Sequence, residues 1–398
     1  MPETIEQLLE RVNELAKIKH KGAGENGARV HKVNGREPAN AHDGESNNPP
    51  LIVTTAEFVT GFTPPDYLID GLIQRRFLYS MTAPTNTGKT AIALRIAAHV
   101  DLGLPLAGRE VDRGRVLFFA GENPDDVRMR WIKLLEEMQI EPEQSRVFWR
   151  AGSLQLSNQE LRRRIDAEGA KHGPFALVFV DTSAAFFSGE DENSNTQMGA
   201  HARTLRSLVN LPGGPTVIVT CHPIKSPNND NLLPRGGGAF IAEVDGNLVC
   251  IKQSDSQVVE LHWQGKFRGP DFAPIPFQIN VGKSAKLVDS KGRAISTVTA
   301  RPISQVEVAE ADAAAGFRQD RLLEALQKEP GASLADLAKA LRWFYQNGEP
   351  NKTLVNRTLK ALETARLVKK DGRRWVVTKA GQKAQNSRFT DETPAAPT

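Results

Sequence analysis

The sequence predicts an α/β protein: a mostly parallel β-sheet covered by helices on both faces, followed by a small helical module that carries a β-hairpin. Three observations lead there. Between residues 51 and 285, continuous apolar runs such as 176–180 and 216–220 alternate with amphipathic stretches. One such run leads into Gly88-Lys89-Thr90, which opens the next helical stretch. Beyond residue 317 the pattern changes to short helices and a hairpin centred on Asp371-Gly372.

The chain has 398 residues, enough for two or three domains with a real core. Hydrophobic residues at 39% and charged residues at 25% are an ordinary soluble mix. No run approaches the roughly 18 apolar residues of a membrane span. The first ten residues carry acids and lack the apolar stretch of a secretory signal. Cys221 and Cys250 both lie in apolar runs, which predicts buried free thiols and a reducing compartment, most simply a cytoplasm.

Taken in order, residues 1–19 place Ile5, Leu8, Leu9, Val12, Leu15 and Ala16 on one helical face. Such a stripe needs cover from the body or from a neighbouring subunit. Residues 20–50 hold almost no large apolar side chains, so a flexible linker is expected. Residues 51–285 form the α/β domain. Its expected strands are 76–82, 116–120, 176–180 and 216–220, with partly antiparallel ones near 246–253, 258–263 and 277–279. Its expected helices are 90–101 and 125–138. Residues 286–316 read as a connector, 317–384 as the second module and 385–398 as a disordered tail.

The loop Ala83-Pro84-Thr85-Asn86-Thr87-Gly88-Lys89-Thr90 matches G-x-x-x-x-G-K-[ST] except at its first glycine. That pattern lets successive backbone N–H groups wrap a phosphate, sends the lysine to the terminal phosphates and offers the hydroxyl to Mg²⁺. ATP is the expected ligand, with Mg²⁺. Ala83 is small enough for the turn, and Asn86 is the non-glycine residue most tolerant of positive φ. Asp181 ends the run 176–180, where a carboxylate can hold the metal with Thr90. Glu122 follows the run 116–120, where a carboxylate can polarise the attacking water. Its structural alternative is a place beside a helix N-cap. His222 follows the run 216–220 and can meet the γ-phosphate. Lys225 lies just beyond it, within reach of a phosphate in the same or an adjacent subunit. Arg235, flanked by glycines, can meet transition-state charge or DNA.

The ordered set of phosphate loop, Phe118-Phe119-Ala120-Gly121-Glu122, Val178-Phe179-Val180-Asp181, Thr220-Cys221-His222-Pro223-Ile224-Lys225 and Arg235-Gly236-Gly237-Gly238 resembles the RecA-like AAA-family ATPases typified by plasmid RepA hexameric replicative helicases. Residues 65–73 and Glu192-Asn193 match the same pattern, and the resemblance spans residues 55–255. It implies a catalytic Glu122, a γ-phosphate-sensing His222, an Arg235 given to a neighbour's site, and a ring whose channel is faced by loops 183–198 and 226–238. The first of those loops is acidic and holds no Lys or Arg.

Charge divides unevenly along the chain. Residues 317–388 hold sixteen Lys and Arg against seven Asp and Glu, so that stretch carries +9 and the remainder −5 of the net +4. A solvated basic surface would account for this, as would a polyanionic partner. Three helices and a hairpin are the order of a winged helix-turn-helix, which predicts DNA as partner. Lys352, Asn356, Arg357 and Lys360 would lie on the groove-entering helix, and Lys369, Lys370, Arg373 and Arg374 at the wing. Trp375 is expected to pack beneath the wing. Winged helices also serve as protein-interaction modules. Two functions follow as expectations: an ATP-driven replication motor of a plasmid, phage or integrated element, or an ATP-switched DNA-binding loader, initiator or regulator.

Overall fold

Apolar runs without alternation become strands buried on both faces. The computed structural model describes residues 52–384 apart from 61, 63, 65, 154–158, 226, 228, 253–255, 346 and 373. The expected N-terminal helix, the whole linker 20–50 and the tail therefore lie outside the described residues. The chain divides into two units, residues 1–62 and 63–398. Residues 51–62, expected in the α/β domain, thus fall in the first unit. Its described part holds helix α1 (Thr55–Val59), started by a capping box between Thr54 and Glu57.

In the second unit, β1 (Tyr67–Ile69) and β2 (Ile73–Gln74) form a short antiparallel pair ahead of β3 (Leu78–Thr82). Then follow α2 (Lys89–Leu102), β4 (Arg115–Ala120), α3 (Pro124–Met138), β5 (Val147–Ala151), α4 (Gln159–His172) and β6 (Phe175–Asp181). After them come α5 (Asn195–Arg206), β7 (Thr216–Cys221), α6 (Gly237–Glu243) and β8 (Gly246–Lys252). Strands β9 (Val258–Phe267), β10 (Ile275–Val288) and β11 (Ala294–Pro302) complete a nine-stranded sheet in the order β5-β4-β6-β7-β3-β8-β9-β10-β11. Pairing is parallel from β5 to β8 and antiparallel from β8 to β11. β7 stands between β3 and β6, so the strand that ends in Asp181 reaches the phosphate loop across β7.

One core, with Ile92, Ile96, Trp131 and Leu134, fills the face under α2 and α3. The other, with Met198, Leu205 and Phe240, lies under α5 and α6. α2 is buried nearly all round: β11 packs along it, and β10 lies beside β11. That cover explains two buried polar groups: Arg95 Nε donates to Ala300 O at 2.5 Å, and its Nη2 lies 3.7 Å from Glu137 Oε2. It also touches the phosphate loop. A Cβ on Gly88, whose φ is +103°, would come within 2.7 Å of Ile279.

Residues 286–316 are not a connector. They hold the end of β10, all of β11 and the first half of α7 (Gln305–Lys328). The stretch that reads as an Ala- and acid-rich linker is good helix-forming sequence. A capping box at Ser304 and Glu307 starts it. α8 (Leu334–Ala340), capped by Ser333, and α9 (Lys352–Thr364), capped by Asn351, follow. A hairpin of β12 (Val368–Asp371) and β13 (Arg374–Val377) turns at Gly372. Leu322, Leu326, Leu337, Val355, Leu359 and Trp375 form the core of this module. Among the described residues, no helix is long and apolar enough to cross a membrane.

Candidate nucleotide site

The carboxyl ends of β3, β4, β6 and β7 meet at one edge of the sheet, the place where open α/β sheets take ligands. β3 runs into the phosphate loop, where Asn86 takes φ +64° and Gly88 φ +103° before α2 begins. The loop borders a cleft of about 410 Å³ with Pro84, Thr85, Asn86, Thr87, Gly88, Lys89 and Thr90 on one wall. Ala83 is fully buried behind that wall. Lys89 is 7% exposed, and its Nζ donates to Cys221 O at 2.9 Å and Ala83 O at 3.5 Å. Burial pushes its ammonium pKa down, and Asp181 works against that.

Asp181 is 4% exposed and receives hydrogen bonds on both oxygens. Thr90 Oγ1 donates to Oδ2 at 3.0 Å and Thr220 Oγ1 donates to Oδ1. Burial raises its pKa, while Thr220, Lys89 and Thr90 favour the carboxylate. Hydroxyl and carboxylate oxygens are the donors that Mg²⁺ prefers, and these two face each other across β7. Among the described residues, no cluster of three or more His, Cys, Asp or Glu could form an all-protein metal site. A P-loop site takes its metal together with the nucleotide's phosphates, so the two agree.

Glu122 also lines the cleft and is exposed. Helix α3 is capped by Asn123, whose Oδ1 accepts from Asp126 N at 3.1 Å, with Pro124 in the first turn. Glu122 is therefore the residue beside the N-cap, the place its structural alternative expects, and does not itself cap the helix. Its charge acts on Lys89, Asp181 and His222. His222 also lines the cleft, half-buried, its pKa lowered by burial first and by Lys89 next. Five further lining residues escaped the sequence reading: Asn123, Asp126, Val127, Arg130 and Thr182. Asp126 Oδ2 accepts from Arg130 Nε at 2.7 Å, an i,i+4 pair one turn beyond Glu122 that could have flagged them.

Arg235 does not line this cleft. Its Nη1 donates to Glu192 Oε2 at 2.8 Å, and its backbone N–H donates to His222 O at 2.8 Å. Segment 183–198, expected as a loop, contains a 3₁₀ turn at Ser183–Phe186 and the start of α5. Both cysteines are buried and free, their thiols pushed up to about 12 by burial.

In the C-terminal module, Lys352, Lys360, Lys369, Lys370 and Arg374 are exposed, and Asn356 is half-buried. Lys370 Nζ lies 5.2 Å from the centre of the Trp375 ring. Arg357 is half-buried, and its charge acts on Lys252 at the end of β8. Arg373 lies outside the described residues.

A mostly parallel sheet with a Gly-Lys-Thr loop, a buried Asp beside the threonine and a Glu lining the same cleft defines a P-loop nucleotide-binding protein. Residues 45–228 match the family model of the AAA domain, an AAA-type P-loop ATPase of RecA-like kind. No curated protein matches the sequence.

Proposed function

We propose that this chain is a RecA-like ATPase that works on DNA as a ring-forming replication protein of the RepA-helicase type, with ATP and Mg²⁺. The convergence of Glu122, Asp181, Thr90 and His222 on the cleft over Lys89 carries this reading. Backbone N–H groups of residues 85–90 take the phosphates, and Lys89 exchanges the carbonyls of Cys221 and Ala83 for phosphate oxygens. Thr90 and Asp181 would hold Mg²⁺, which supplies charge neutralisation to the phosphates. Glu122 orients the attacking water and accepts hydrogen bonds from it. His222, kept toward its neutral form, donates one N–H to the γ-phosphate. Arg235 supplies positive charge to the transition state, in its own site or in a neighbour's.

The resemblance adds a homo-oligomeric ring, a hexamer in the family it resembles, acting in a cytoplasm. The C-terminal module then serves as a winged helix, with α9 in the major groove and the hairpin on the adjacent backbone. A second reading, an ATP-switched loader, initiator or regulator, draws support from segment 183–198. It has no Lys or Arg, and its Glu192 occupies Arg235.

The test compares ATP hydrolysis without DNA, with single strands and with duplex, alongside unwinding of a forked substrate and mass measurement with a non-hydrolysable analogue. DNA-stimulated turnover with strand separation is expected of the motor. Slow turnover with ATP-dependent duplex binding and no unwinding would replace the motor by the switch.

A further inference from the structure

The chain leaves β7 at His222, travels outward and returns at Arg235. The base of this loop is closed by Ile224 N–H donating to Leu233 O at 3.0 Å and Arg235 N–H to His222 O at 2.8 Å. A second anchor lies further along. Leu232 is 1% exposed and is held from both sides. Its N–H donates to Gln264 Oε1 at 2.8 Å, and its carbonyl accepts from Asn247 Nδ2 at 3.0 Å. Gln264 Nε2 reaches on to Asn229 O at 2.5 Å.

Asn247 is fully buried on β8 and also faces the phosphate strand. Ser80 Oγ and Thr82 Oγ1 donate to its Oδ1 at 2.8 Å and 2.7 Å. Its Nδ2 makes a further bond to Gln264 O at 3.1 Å. An asparagine amide offers two acceptor and two donor positions, and all four are filled. Thr82 is the last residue of β3, directly before Ala83. One side chain thus joins the strand that carries the phosphate loop to the loop that presents Arg235. A fully satisfied polar network in a core fixes geometry more sharply than apolar contact does.

We propose that Asn247 and Gln264 are positioning residues: they hold the 222–235 loop in register with β3 and so set where Arg235 stands for hydrolysis. This rests on the ATPase reading above. A structural support role alone would predict lower stability with unchanged chemistry per folded molecule.

Gln264→Met separates the two. Methionine keeps the length and removes the bonds to Leu232 N–H and Asn229 O, leaving Asn247 and β3 in place. In the full chain, affinity for a fluorescent ATP analogue should stay within about twofold, while kcat falls about tenfold with little change in KM, the pattern of a misplaced transition-state group. Arg235→Ala combined with Gln264→Met should be no slower than Arg235→Ala alone, because both remove the same contribution. Trypsin should also cut faster after Lys225 at a temperature well below the melting transition of both proteins. A parental kcat in Gln264→Met, or losses that simply add in the double variant, would overturn the proposal. A parent that binds ATP without hydrolysing it would instead overturn the ATPase reading. The tether is then judged by trypsin, and unchanged cleavage after Lys225 rejects it.

Discussion

The nucleotide cleft and the C-terminal module hold their charges in opposite ways. In the cleft, Lys89 and Asp181 are 7% and 4% exposed, and each has partners fixed by the ends of neighbouring strands. In the module, Lys352, Lys360, Lys369, Lys370 and Arg374 stand on the surface of a small leucine-rich core. A buried charge must be satisfied by the fold, so its position is specified and its loss is costly. An exposed charge acts through a screened field, so many are needed and each counts for little.

The sharpest test of that contrast is on the buried side. Lys89→Ala should weaken ATP binding by about a hundredfold or more, the scale of truncating one member of a desolvated charge pair. Glu122→Gln should retain ATP affinity while hydrolysis drops about 10²- to 10⁴-fold, as for a lost general base. Titration with a fluorescent nucleotide and a phosphate-release assay read the two effects separately. Equal turnover in Glu122→Gln and the parent would remove Glu122 from the chemistry.

The same contrast explains what could be read from the sequence. The strands around the cleft are fully buried, so they appear as uninterrupted apolar runs, and the residues that follow them fall at the sheet edge. That made Lys89, Thr90, Glu122, Asp181 and His222 legible. Of β10 only the start, near 277–279, was legible, and β11 was not, because the hairpin buries one face only and Lys283, Lys286, Lys291 and Arg293 break its pattern. Asn123, Asp126 and Arg130 come to the cleft from a helix, and nothing in a strand-end argument points there. Asn247 was invisible for a different reason. Its partners Ser80, Thr82, Leu232 and Gln264 are distant in sequence, and it takes the pairing of β8 with β3 and with β9, and the return of the 222–235 loop, to bring them together.

Acid should act through buried groups as well. His201 packs between Phe187 and Phe240, with Ser183 Oγ 3.0 Å from its Nε2, and burial lowers its pKa to about 4. The unfolded chain therefore binds a proton there more tightly than the folded one. The stability involved is complete above pH about 6.5 and drains away as pH falls toward 4, with a total of about 3 kcal/mol. Urea denaturation of the parent and of His201→Gln between pH 7 and 4.5 checks this. The variant should lose less stability across that window. Parallel profiles would mean that His201 is not the group responsible.

The smallest effect is expected on the exposed side. If the module binds duplex DNA through phosphates, Lys360→Ala and Lys369→Ala should each weaken binding similarly on unrelated sequences. Each should also lower the slope of log K against log salt by about 0.9, one phosphate contact. Arg357 should behave differently, because it is half-buried and acts on Lys252 of the ATPase sheet. Arg357→Ala should leave the salt slope unchanged. Its effect should appear in the coupling between DNA and ATP hydrolysis, read as the ratio of turnover with and without duplex. A full unit of slope lost in Arg357→Ala would place that side chain on the DNA. The boundary between the two regions would then fall at the surface of α9 rather than within it.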